Sequence, residues 1–98
     1  MGFNVFHMPI ETDAISMDRA AAASRRNIAK AVNAHLQSAK ISQRTVSELT
    51  DIPMTSFVRR ITGRKAFDLD QLAKIAVLLD VSVAALITYA EHTEAVVA

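Results

Sequence analysis

Apolar positions along this chain recur at helical spacing, and the same boundary signal repeats between them. Ile28, Val32, Leu36 and Ala39 form one stripe inside an alanine-rich segment that opens near Ser16 to Asp18, which predicts a long first helix over residues 17–39. Further on, an apolar residue precedes a serine or aspartate and is matched by a second apolar residue five positions later. Ile41, Ser42 and Val46, then Phe67, Asp68 and Leu72, then Val81, Ser82 and Leu86 each fit an N-cap flanked by a hydrophobic staple. Asp68 with Gln71 adds a capping box, and Ile52 with Phe57 shows the same spacing of five. These signals predict four further helices, over 43–50, 54–62, 69–79 and 83–90. Alternation is too weak for a sheet. Phe3, Val5 and Met8 to Ile10 hint at a strand, which Pro9 interrupts. The expected fold is therefore all-α, with five helices: an N-terminal arm over 1–16, one domain over 17–90 and a short tail over 91–98.

Residues 41–65, ISQRTVSELTDIPMTSFVRRITGRK, are the most telling stretch. Two short helices meet at Asp51-Ile52-Pro53, where the residue before proline is pushed out of the helical region, and Gly63 closes the second helix. At about 100° per residue, Phe57 and Ile61 fall on one side of that helix, while Thr55, Arg59 and Thr62 cluster on the other. One face packs and the other reaches outward, which is the outline of a helix-turn-helix reader of the DNA major groove. Arg59 can offer two parallel donors to guanine, and Thr55 can bond a base edge or touch a thymine methyl. Arg64 and Lys65 follow in a loop placed to grip phosphates.

Composition changes the picture mainly by exclusion. Ninety-eight residues, 51% of them apolar, make one globular domain whose apolar runs are too short to cross a bilayer. The absence of cysteine rules out a disulfide framework, a zinc-finger ligand set and a thiol nucleophile, and fits a reducing cytoplasm. No secretory signal pattern opens the chain. Met1-Gly2 is not a myristoylation start, because Phe6 stands where serine or threonine is needed. Phe3 and Phe6 are expected to pack on the domain or on a second subunit.

Net charge is only +1, but the charges are segregated. Residues 1–18 hold three acids and no Lys or Arg, whereas 19–30 hold Arg19, Arg25, Arg26 and Lys30 and no acid. Residues 40–65 carry six basic side chains against Glu48 and Asp51, and 66–98 carry Lys74 against five acids. A basic middle between acidic ends favours an oriented approach to a polyanion.

The run from Ile41 to Ile87 resembles the DNA-binding domain of lambda-type phage repressors, the Cro and xenobiotic-response-element-like helix-turn-helix family. The matching features are Ser42-Gln43, Val46, Ile52, Thr55-Ser56, Phe57, Gly63, Leu72-Ala73-Lys74-Ile75 and Val81-Ser82-Val83. The resemblance implies base readout by Met54, Thr55, Ser56 and Arg59. It places Gln43, with Arg44 beside it, on the DNA backbone, together with Thr62, Arg64 and Lys65. The chain departs from the family at Asp51 in place of the turn glycine, Ser47 in place of a small alanine, and Pro53 in place of serine or glycine. Aspartate tolerates the left-handed conformation, so the turn is expected to survive.

The expected function is that of a sequence-specific regulator of transcription, a repressor or Cro-like protein, located in the cytoplasm on double-stranded DNA. One recognition helix reads too few base pairs to find a site in a genome, so a homodimer on a two-fold operator is expected. Val83, Leu86, Ile87, Tyr89 and Ala90, continued by Val96-Val97, are the candidate dimerisation surface. The competing reading is an antitoxin-like or adaptor protein that uses the same helices to bind a protein partner. Catalysis is not expected: His7, His35 and His92 lack companion ligands, no glycine-rich phosphate loop exists, and no carboxylates are paired in an apolar setting. No metal, cofactor or small-molecule ligand is expected either.

Overall fold

The computed structural model describes residues 13–97, with side chains described as far as His92. Among these residues the fold is five α-helices and no strand. They are α1 (Ala14–Ala39), α2 (Gln43–Thr50), α3 (Met54–Ile61), α4 (Leu69–Leu79) and α5 (Val83–Val97).

Capping fixes the boundaries. Ser42 Oγ accepts from Thr45 N–H at 3.1 Å, and Ser82 Oγ from Ala85 N–H at 2.9 Å. At α4 the capping box is complete: Asp68 accepts from Gln71 N–H at 2.7 Å, and Gln71 Oε1 accepts from Asp68 N–H at 3.0 Å. Each cap is worth about 1 kcal/mol. Val46, Leu72 and Leu86 are buried, and their staple partners Ile41, Phe67 and Val81 pack against the same core.

That core centres on Phe57, which is fully buried, with Leu36, Ile75, Leu86, Val32 and Val46 around it. Its ring meets Phe67 with centroids 6.0 Å apart and planes tilted by 57°. α1 supplies Val32 and Leu36, α2 supplies Val46, and α4 with α5 close the far side. α4 lies across α2, where Lys74 Nζ donates to the Thr50 carbonyl at 3.4 Å and meets the free C-terminal end of that helix.

Both ends of the domain are longer than the pattern predicts. α1 begins at Ala14, because Asp13 rather than Ser16 or Asp18 caps it and accepts from Ser16 N–H at 2.7 Å. The Ser16 backbone N–H, with its hydroxyl, holds the Asp13 carboxyl below the ordinary aspartate range. α5 runs to Val97, so the expected tail continues the helix instead of leaving it. α5 packs along α1, and the domain is elongated, 46 × 24 × 22 Å, with α1 residues 14–21 exposed on every face.

Two of the five residues expected on a dimerisation surface belong to the monomer core. Leu86 and Ala90 are buried because α5 turns them against α1 and the central cluster. Val83 and Ile87 are half-buried, and Tyr89 is exposed, its ring set edge-on to His35 with centroids 5.0 Å apart. The proposed strand and the roles of Phe3 and Phe6 lie outside the described residues, as do the side chains of Val96 and Val97. Among the described residues no single helix is long and apolar enough to cross a membrane.

Candidate nucleic-acid interface

The turn between α2 and α3 is held by three local devices. Asp51 takes the left-handed conformation at φ 63°, as its side chain permits. Ser47 Oγ donates to the Ile52 carbonyl at 2.6 Å, so the residue that replaces a small alanine braces the turn. Ile52 itself is buried, which anchors the short link to the core. The angle at which α3 leaves α2 is thus fixed by a left-handed residue, a hydroxyl and an apolar plug.

α3 is amphipathic along its whole length. Phe57 is driven into the core and Ile61 is half-buried, while Thr55, Arg59 and Met54 stand in solvent. Met54, 43% exposed, does not turn toward the core. Pro53 precedes the helix and provides no side-chain cap, so the first-turn N–H groups are left open at this end. Ser56 is half-buried, at the edge of the outward face.

The loop after α3 is tied back to the helix at several points. Arg64 N–H and Lys65 N–H both donate to the Arg59 carbonyl, at 3.0 and 3.2 Å, and Gly63 N–H donates to Arg60 at 3.1 Å. Gly63 sits at φ 82°, where a side chain would be strained. Arg60 performs a role that sequence reasoning missed: its Nε donates to the Ala66 carbonyl at 3.1 Å and its Nη1 to the Ser56 carbonyl at 3.3 Å. It clamps the loop to the helix while its neighbours Arg59, Arg64 and Lys65 stay exposed. No local pattern announces this clamp, since its acceptor lies six residues on and beyond a turn.

These constraints bring together Met54, Thr55, Arg59 and Arg64 of the residues singled out. Met54, Thr55, Val58, Arg59 and Arg64 line one open depression, so the base-reading and loop candidates share a surface. Among the described residues no ion pair engages Arg59, Arg64 or Lys65, which leaves their charge available to an anion. At the head of α2, Gln43 is half-buried and Arg44 exposed. Thr62 is less free than its position implies, because its hydroxyl donates to the Val58 carbonyl at 2.7 Å and lies 3.1 Å from the Arg59 carbonyl. A hydroxyl has one proton, so a phosphate would have to draw it away. The described residues contain no group of three or more metal-ligating side chains that could hold an ion.

Comparison with known proteins agrees with this geometry. The BetR domain family model matches residues 19–96. No curated protein matches the chain. Among solved structures, the crystal structure of the clp gene regulator ClgR from Corynebacterium glutamicum is similar, with a TM-score of 0.71 and 20% sequence identity over 74% of this chain and 78% of that one. At that identity the likeness speaks for the fold.

Proposed function

The chain belongs to the BetR domain family, a helix-turn-helix-type regulator domain, and from that footing we propose that it is a sequence-specific double-stranded DNA-binding regulator of transcription. α3 enters the major groove with Thr55 and Arg59 toward base edges, joined by Met54 and Ser56 at its leading end. Gln43, Arg44, Arg64, Lys65 and, with its hydroxyl turned away from the Val58 carbonyl, Thr62 hold the sugar-phosphate backbone on either side. The observation that carries this reading is the shared depression of Thr55, Arg59 and Arg64, backed by a fully buried Phe57.

The lambda-repressor and Cro manner of binding, as a dimer on a two-fold site, belongs to the same proposal. Tyr89, Val83 and Ile87 are the part of the α5 surface left to a second copy once Leu86 and Ala90 are spent on the core. Selecting sites from a random oligonucleotide pool tests the whole reading. It should return one motif, with two-fold symmetry if two copies bind; recovery of unselected sequence would refute readout. Sedimentation giving a monomer both free and on the selected site would remove the dimer alone.

The adaptor reading draws on a different surface, where Leu49 is 65% exposed and Val77 81% exposed, close to Lys74. An adaptor has no need of an exposed Arg59 on α3 or of Arg64 in the loop after it, so salt-dependent retention on duplex DNA separates the two.

A further inference from the structure

We infer that α1 carries a second phosphate-binding surface, formed by Arg19, Arg26 and Lys30, which grips the DNA backbone beside the groove that α3 enters. The inference rests on the DNA-binding reading above and extends its contact area to a helix that reading leaves unused.

Residues 19, 26 and 30 are seven and four apart, so they fall within about 40° of one another around the helix. All three are exposed. The row is about 16 Å long at 1.5 Å per residue. Phosphates recur about every 3.4 Å of axis on each strand, so a row of that length spans several of them. No acid interrupts the segment from Arg19 to Lys30. Arg25 is not part of the row: it is turned toward the core side, half-buried, with its Nε buried.

The row is placed by direct contact with the interface. A Cβ built on Gly63 would lie 3.4 Å from Arg26 Cα and 3.1 Å from Arg26 Cγ, so the loop after α3 rests on α1 at Arg26. Arg64 is the next residue in that loop, and the two cations therefore stand on neighbouring backbones. The other flank of α1 is occupied by α5, since Ser24 and Ile28 share a pocket with Ile87, Ala90 and Glu91. α5, with the acidic Glu91, thus covers the side of α1 away from the loop and leaves the basic row open. Arg64 and Lys65 in the loop and Arg26, Arg19 and Lys30 on α1 make one continuous cationic surface. Its partner is a long rigid polyanion, which duplex DNA supplies.

The test compares the wild-type chain with the double variant Arg19→Gln, Arg26→Gln in binding a long mixed-sequence DNA duplex across a salt series. Gln keeps the alkyl stem that meets Gly63, and both positions are exposed, so helicity should not change. Each phosphate contact contributes about 0.9 to the slope of log affinity against log salt, so the double variant should be shallower by roughly 2. Lys74→Gln removes one positive charge from α4, outside the row, and should leave the slope unchanged, against a slope shallower by about 1 for Arg19→Gln alone. If the double variant loses helicity, Arg19→Gln alone is read instead, with a slope shallower by about 1.

An unchanged slope in the double variant, with Arg64→Gln still shallower, overturns the α1 surface and leaves the α3 reading intact. A slope shallower by about 1 in Lys74→Gln, the same per charge removed, also overturns it, since net charge alone would then explain the effect. If the wild-type chain shows no salt-dependent binding to duplex DNA, both readings fall.

Discussion

The Ser47 hydroxyl donates a 2.6 Å hydrogen bond to the Ile52 carbonyl, across the turn that sets α3 against α2. The bond joins a half-buried side chain to the backbone of a buried residue, so its loss leaves the carbonyl short of a partner. Ser47→Ala should therefore cost about 1 kcal/mol in urea unfolding, even though alanine is the smaller residue expected there. A stability equal to wild type would mean that water replaces the hydroxyl at no cost.

Gly63 is held at φ 82° and lies against Arg26. Gly63→Ala adds backbone strain at a positive φ, and its Cβ presses on the Arg26 stem, 3.1 Å from Cγ. The expected loss is about 1–3 kcal/mol. Shortening Arg26 in the same chain by Arg26→Ala relieves only the contact with the stem, so the double variant should recover part of the loss and not all. Full recovery would assign the whole effect to crowding.

Arg60 bridges the Ser56 and Ala66 carbonyls, so Arg60→Met keeps the stem but releases the loop. Amide hydrogen exchange should quicken at residues 63–66 while the core helices stay protected. DNA affinity should fall although neither Arg59 nor Arg64 has been touched. Unchanged exchange in that loop would show that the bonds from Arg64 and Lys65 N–H to Arg59 hold it by themselves.

Most helix boundaries were legible because short-range signals coincide there. At Ser42, Asp68 and Ser82 a cap, an apolar residue before it and another five on all point to the same position. The start of α1 was less legible, since the polar residues near Ser16 to Asp18 draw the boundary inward and the cap, Asp13, lies three residues ahead of them with no apolar staple to mark it. The length of α5 was hidden for the opposite reason: Glu91, His92 and Thr93 are polar but carry no glycine or proline to stop a helix. Leu86 and Ala90 fall among the expected dimerisation residues because the last helix is apolar on several faces, and a helical period cannot say which face meets α1. The outward row of α3 followed from the period of a strongly two-sided helix. The clamp by Arg60 and the seat of Gly63 on Arg26 depend on contacts across a loop or between distant helices, which no window along the chain contains.

Arg59 and Arg64 stand on one surface but should carry different kinds of information. Arg59 projects from the exposed face of α3, where a guanidinium can meet the two acceptors of a guanine edge, whereas Arg64 belongs to a loop whose backbone is tied to the Arg59 carbonyl. A phosphate contact is blind to sequence, so Arg64→Ala should weaken binding to a selected site and to random duplex by the same factor and make the salt slope shallower by about 1. Arg59→Ala should cost about 1–3 kcal/mol on the selected site, well beyond its effect on random duplex, and relax preference at one base pair of the motif. Titrating both variants on both duplexes over a salt series gives the four numbers needed. Equal losses on selected and random DNA for Arg59→Ala would move that residue to the backbone and leave Thr55, Ser56 and Met54 to carry whatever specificity remains.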